Sequence, residues 1–146
     1  LSRLNREVRT GRKYVYFAQP DADGKMTRLS GIRARVILLE FWGSWCTPCR
    51  QQNPELVRIY NEFKERGFEI LGVAADDHKE DWLKAIHDDN LTWRNVSDLR
   101  GDRNRAVLIY GVSRFPSNFL IDHTGTLVAK DLQGEALRAK LAELLK

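Results

Sequence analysis

The most apolar run in the chain is Val36–Trp42, VILLEFW, hydrophobic at successive positions except Glu40. A strand with no polar face must be covered on both sides, so this run reads as a central strand. Residues 69–75, EILGVAA, read as a second buried strand. Between the two, residues 47–66 place Leu56, Tyr60 and Phe63 at i, i+4 and i+7 with Val57 beside them, one apolar stripe on a helix. Pro54 falls inside that helix and predicts a kink. Residues 79–89 predict another helix with Trp82, Leu83, Ala85 and Ile86 on one face. Strand, helix, strand, helix implies parallel crossover units.

Downstream, residues 92–96 predict a small edge element and residues 102–110 a short helix. Residues 118–122 and Leu127–Lys130 predict strands joined by a glycine-containing turn at 123–126. A last helix after Gly134 turns Leu137, Leu141, Leu144 and Leu145 inward. Upstream, residues 14–17 (YVYF) read as a short strand, and residues 19–25, with Pro20, Asp21, Asp23 and Gly24, as a turn closing a hairpin with residues 26–29. There is no internal repeat or low-complexity segment.

Composition narrows the class without naming it. The 146 residues are 42% hydrophobic and 30% charged, an ordinary globular balance that excludes a disordered or collagen-like chain. No apolar run reaches the roughly 20 residues of a bilayer-spanning helix. The net charge of +4 invites a nucleic-acid reading, but it is concentrated at one end. Residues 1–13 contain Arg3, Arg6, Arg9, Arg12 and Lys13 against one acid, Glu7; without them 19 bases face 19 acids. Phosphate binding needs a basic face on the folded body, and none is evident, so nucleic acid is not an expected partner. We therefore divide the chain into a basic linker or tail, 1–13, and one domain, 14–146. A chain beginning at Leu1 rather than Met reads as a trimmed or mature form. One expectation is membrane anchoring through a missing N-terminal segment.

The only two cysteines, Cys46 and Cys49, form one Cys-Thr-Pro-Cys, so the pair is redox-active, metal-binding or inert. Cys46 follows a buried strand and opens a helix, where free N–H groups and the positive end of the helix dipole stabilise a thiolate. Cys49 lies one turn on and nearer the body. The expected roles are attack on a substrate disulfide by Cys46 and resolution of the mixed disulfide by Cys49. Pro48 suits the first helical turn, whose N–H groups lack partners anyway. A zinc knuckle would need two more ligands at short spacing, and His78, His87 and His123 are scattered, so no metal is expected. A passive bridge is the other alternative.

The segment FWGSWCTPCR, residues 41–50, with Pro54 five residues after Cys49, resembles the active-site strand and helix of the thioredoxin superfamily. With the later segment 112–122, VSRFPSNFLID, followed by Gly125, it resembles specifically the TlpA/ResA-type extracytoplasmic thiol-disulfide oxidoreductases. The resemblance covers about residues 14–146, although the family's frequent Gly-x-x-Ala-Pro-x-Phe opening is absent around residues 11–17. It implies a thioredoxin-like fold, a three-layer α/β/α arrangement with a central mixed sheet and an N-terminal hairpin extension. It implies a cis Pro116 packed against the cysteines, with the Phe115 backbone pairing with an extended substrate strand. Trp45, Thr47 and Pro48 would complete the substrate-facing surface.

Glu40 stands alone in an apolar run, where an unpaired buried charge is expensive. Thioredoxins have a buried Asp at the matching place, so its implied role is to accept the Cys49 proton, directly or through water. The plainer reading is a strand carboxylate reaching solvent or Arg35. Trp42 and Trp82 read as core, the histidines as solvent-facing, and Asp76–Asp77 as a solvated loop. The expected function is reduction of protein disulfides in the cell envelope, in the periplasm, by a monomer that needs no cofactor and is served by an upstream membrane electron donor. Two alternatives remain. One is a peroxiredoxin-like thiol peroxidase, which needs Thr or Ser three residues before the attacking Cys, where Gly43 stands; the other is a non-catalytic binding module on the same fold.

Overall fold

The computed structural model describes residues 8–146, so residues 1–7 of the basic lead-in lie outside the described residues. Along the chain come β1 (Ala18–Pro20), β2 (Met26–Arg28), β3 (Val36–Trp42), α1 (Thr47–Phe63), β4 (Phe68–Ala74), α2 (Lys79–Asp88), β5 (Arg94–Val96), α3 (Arg105–Ile109), β6 (Ser117–Ile121), β7 (Leu127–Lys130) and α4 (Gly134–Leu144). The main sheet has the order β5-β4-β3-β6-β7, so the most apolar strand sits at its centre. β3 runs parallel to β4, with Glu40 opposite Gly72, and antiparallel to β6, with Glu40 opposite Asn118. β1 and β2 form a separate antiparallel hairpin, tied to the main sheet by a bridge from Asp21 to Val96.

The alternation of β3 sorts its residues between two cores. Val36, Leu38 and Trp42 pack with Leu56 and Phe63 of α1, Trp82 of α2 and Leu137 and Leu141 of α4. Ile37, Leu39 and Phe41 pack on the other face with Ala106 and Val107 of α3, Phe17 and Leu29. The result is a thioredoxin-like three-layer fold with a mixed sheet and an N-terminal hairpin. Cys46 and Cys49 belong to the first core, and Glu40 shares their face of the sheet by parity.

Several boundaries differ from the sequence pattern for identifiable reasons. Residues 14–17 do not form the first strand, which begins at Ala18. The Val15 N–H and carbonyl are both engaged by the Tyr110 hydroxyl, while Tyr14 N–H bonds to Gly125, so a side chain takes the place of a partner strand. The helix expected over 102–110 is interrupted. Buried Asn104 leaves the helical conformation and caps α3 by accepting from the N–H groups of Ala106 and Val107, at 2.9 and 3.2 Å. The helix expected over 47–66 keeps α-helical form to Phe63 and tightens into a 3₁₀ turn over Lys64–Arg66. On α2, Trp82 and Ala85 are buried, but Leu83 is 37% exposed and does not share their face.

Candidate active site

The turn after β3 delivers Cys46 to the start of α1. Cys46 has extended backbone (φ −89°, ψ 104°) and serves as the N-cap, with Pro48 in the first helical turn. Its Sγ accepts a hydrogen bond from the Cys49 N–H at 3.2 Å. The two cysteines are disulfide-bonded, with Cα atoms 5.3 Å apart. Both cysteines are buried, Cys46 retaining 4% of its surface and Cys49 none, so Cys46 at the helix start is the nearer of the two to the surface. A sulfur at an N-cap accepts charge well, because its neighbours are unpaired N–H donors.

Around this pair the structure gathers most of the residues singled out in the sequence. Thr47 and Pro48 are exposed on the first turn of α1. Trp45 is 57% exposed and stacks edge-to-face on Phe115, with ring centroids 5.4 Å apart. The Phe115–Pro116 peptide bond is cis. Exposed Trp45 on half-buried Phe115, beside Cys46, forms an apolar wall against which an extended chain can lie. The histidines are exposed, and Trp42 and Trp82 are core.

Three fixings hold the turn that carries Trp45. Asp76 accepts hydrogen bonds from the Ser44 N–H, at 2.9 Å, and the Ser44 hydroxyl. Trp45 Nε1 donates to the Ala75 carbonyl at 2.8 Å. Arg50 donates to the Ser44 carbonyl at 3.1 Å while gripping Asp89 through two bonds, of 2.5 and 3.0 Å. Asp89 also accepts from buried Asn53 at 2.8 Å. Asp76 therefore does not lie in a solvated loop as the sequence suggested; it is 2% exposed, and burial raises its pKa. Only Asp77 stays in solvent. The Asp-Asp pair gave no sign of which member turns inward, since that depends on a turn 32 residues earlier.

Glu40 is 2% exposed; its hydrogen-bond partner is Gln52, with Asn118 opposite it in the sheet, and not Arg35. Gln52 Nε2 donates to Oε2, whereas Oε1 is buried with no protein partner among the described residues. Burial pushes the pKa up to about 8, opposed by the Gln52 hydrogen bond and the nearby Asn118 amide, which itself donates to the Leu132 carbonyl at 2.8 Å, and assisted by the Asp131 charge. Sequence reasoning missed Gln52 and Asn118. Gln52 had a legible signal, standing one helical turn after Cys49 on the strand-facing side. Asn118 had none, because the antiparallel register that sets it opposite Glu40 is invisible locally.

Gly43 has a steric reason to lack a side chain: a Cβ there would lie 2.5 Å from Trp45 Nε1. Serine or threonine three residues before Cys46 would displace the indole, which disfavours the peroxidase alternative.

Comparison with known proteins agrees. Residues 10–130 match the AhpC/TSA family. A thiol-disulfide oxidoreductase ResA from Geobacillus thermodenitrificans is 31% identical over 125 residues, covering 80% of this chain and 70% of the relative. A thiol-disulfide oxidoreductase from Bacteroides fragilis superposes with TM-score 0.86 at 39% identity, over 92% of this chain and all of that one. The thioredoxin domain of a thiol-disulfide oxidoreductase from Bacteroides vulgatus gives TM-score 0.87 at 32% identity, over 95% and 99% of the two chains. A bonded Cys-x-x-Cys on this fold, with relatives of that activity, makes the chain a member of the AhpC/TSA family and, within it, a thioredoxin-like thiol-disulfide oxidoreductase.

Proposed function

We propose that the protein reduces disulfides of protein substrates in the cell envelope, with Cys46 as nucleophile and Cys49 as resolving thiol. The observation that carries the assignment of roles is the N-cap position of Cys46, whose Sγ accepts from the Cys49 N–H while Cys49 lies fully buried behind it. In the reduced protein the Cys46 thiolate attacks one sulfur of the substrate disulfide, forming a Cys46–substrate disulfide and expelling the first substrate thiolate. Cys49 loses its proton to Glu40, and its thiolate attacks Cys46 Sγ. The internal disulfide forms and the second substrate thiolate leaves. Two electrons pass to the substrate, whose thiolates take protons from water, and an upstream dithiol at the membrane restores the cysteines. Trp45, Thr47, Pro48 and the Phe115–Pro116 segment hold the substrate chain beside Cys46.

Glu40 suits the base role because its pKa of about 8 lies close to that of an ordinary thiol. The envelope setting and the reducing direction rest on the resemblance to TlpA/ResA-type proteins and on relatives named ResA. The test is insulin reduction driven by dithiothreitol. Wild type accelerates it, and Cys46→Ser abolishes the acceleration; a variant with undiminished activity would refute the assignment. The potential of the Cys46–Cys49 couple settles direction: a value below about −200 mV marks a reductant, and one near −120 mV an oxidant.

A further inference from the structure

Each resolving step leaves a proton on Glu40, which returns to Cys49 when the disulfide is reduced or leaves to solvent by a path other than the disulfide face. Neither cysteine lines the small cavity that reaches Glu40, which opens between α1 and α4 and is bordered by Glu40, Gln52, Glu55, Asn118, Gln133 and Gly134. Its volume is about 10 Å³ for water centres, the space of one water molecule.

We propose that this cavity is a one-water proton path and that Glu55 relays the proton of Glu40 to solvent. Four observations converge on it. Glu40 Oε1 is buried without a donor among the described residues, whereas Oε2 is occupied by Gln52, so one oxygen is left for a water. The cavity has the polar neighbours a buried water needs, in Glu40, Glu55 and the flanking amides. Glu55 is exposed, with its carboxylate at the α4 end of the opening: a Cβ built on Gly134 would come within 3.2 Å of Glu55 Oε1. Gly134, at φ +57°, has the left-handed backbone that favours glycine, and its missing side chain leaves the Glu55 carboxylate unpressed. Finally, among the described residues no lysine or arginine lines the cavity to repel a proton or pin Glu40 as a permanent anion. The groups facing Glu40 are Gln52 on α1, Asn118 on β6 and Asp131 after β7.

The transfer balances without electrons. Protonated Glu40 gives its proton to the water, the water gives one of its own to the Glu55 carboxylate, and Glu55 releases it to bulk solvent. Glu40 is left ionised for the next Cys49 proton.

The relay rests on the reading of Glu40 as base, and the experiment separates the two. Oxidised protein is jumped from pH 6 to pH 9 in weak buffer while the infrared band of protonated Glu40, identified by its loss in Glu40→Gln, is followed in time. Glu55→Gln, a change at an exposed position, slows disappearance of that band about tenfold without altering its final titration, and added imidazole restores the rate. Relaxation at the wild-type rate, or slowing that imidazole does not rescue, overturns the relay. The base reading is judged separately, by the pH profile of the disulfide-resolving step in Glu40→Gln: an unchanged profile refutes it whatever Glu55 does.

Discussion

Two polar regions flank the disulfide, and they are built on opposite principles. The clamp around residues 43–46 is saturated: both Asp76 oxygens, both Asp89 oxygens, the Ser44 carbonyl and the Trp45 indole all have partners. The pocket beneath α1 is not, since one oxygen of Glu40 has no partner among the described residues. Each region buries a carboxylate and raises its pKa, chiefly by desolvation. A titration shift alone therefore does not separate a structural carboxylate from one poised for chemistry; the count of satisfied atoms does. A filled hydrogen-bond shell fixes geometry, whereas an open valence leaves a proton free to move.

The comparison is tested hardest at Glu40. Its folded pKa of about 8 exceeds the ordinary 4.5. The folded state thus holds a proton that the unfolded state has lost between those values, and stability falls as pH rises through that window. Wild type loses on the order of 4 kcal/mol from this source between pH 4.5 and 8, and Glu40→Gln abolishes the loss. Denaturant unfolding of both proteins across that range measures it. Matching slopes would show that Glu40 is ionised in the fold and sink the contrast. In kinetics, the wild-type resolving step accelerates as Glu40 ionises near pH 8, and the variant shows no such rise.

Asp76 is the mirror case. Asp76→Ala strands the Ser44 N–H and hydroxyl and destabilises by about 2 kcal/mol, while Asp76→Asn, which keeps an acceptor, loses less than half of that. Chemical denaturation gives both values. The pH profile of resolution stays that of wild type in each, and a shifted profile would place Asp76 in the chemistry after all.

The contrast also marks what the sequence could disclose. The strands at Val36–Trp42 and Leu127–Lys130 and the Cys-Thr-Pro-Cys at a helix start were legible, because each is written in consecutive residues. Glu40 stood out because a charge in an apolar run is a local anomaly. The saturated clamp was not legible: Ser44, Asp76 and Asp89 meet only after β4 and α2 have crossed back over the sheet. The strand expected at 14–17 failed for the same reason, since the Tyr110 hydroxyl that engages Val15 lies 95 residues away.

A smaller effect comes from the turn itself. Gly43→Ala puts a methyl carbon where Trp45 Nε1 lies 2.5 Å away, so the indole must leave the Ala75 carbonyl and Phe115. One hydrogen bond and one edge-to-face contact are lost, together about 1.5 kcal/mol. The loss falls on substrate contact, raising KM for insulin about tenfold with the Cys46–Cys49 potential unchanged. A changed potential with unchanged KM would mean that the clamp tunes the sulfurs rather than presenting the aromatic wall.

The smallest effect resolves the clamp into its parts. Arg50 and Asp89 form a bidentate pair, but the Arg50 side chain is 31% exposed and that of Asp89 15%. Solvent and salt screen the Arg50 side of the pair, so Arg50→Met destabilises by only about 1 kcal/mol, and less at high ionic strength. Asp89→Ala destabilises more than Arg50→Met, because Asp89 also receives the amide of Asn53, which is 2% exposed and would be left without that acceptor. The double variant separates the two contributions. With Arg50 already removed, Asp89→Ala should retain the part of its effect that belongs to Asn53 and lose its sensitivity to salt. Equal effects for the two single variants would mean that the clamp acts through surface charge, and that saturation of its buried groups is not what holds the Cys46 turn in place.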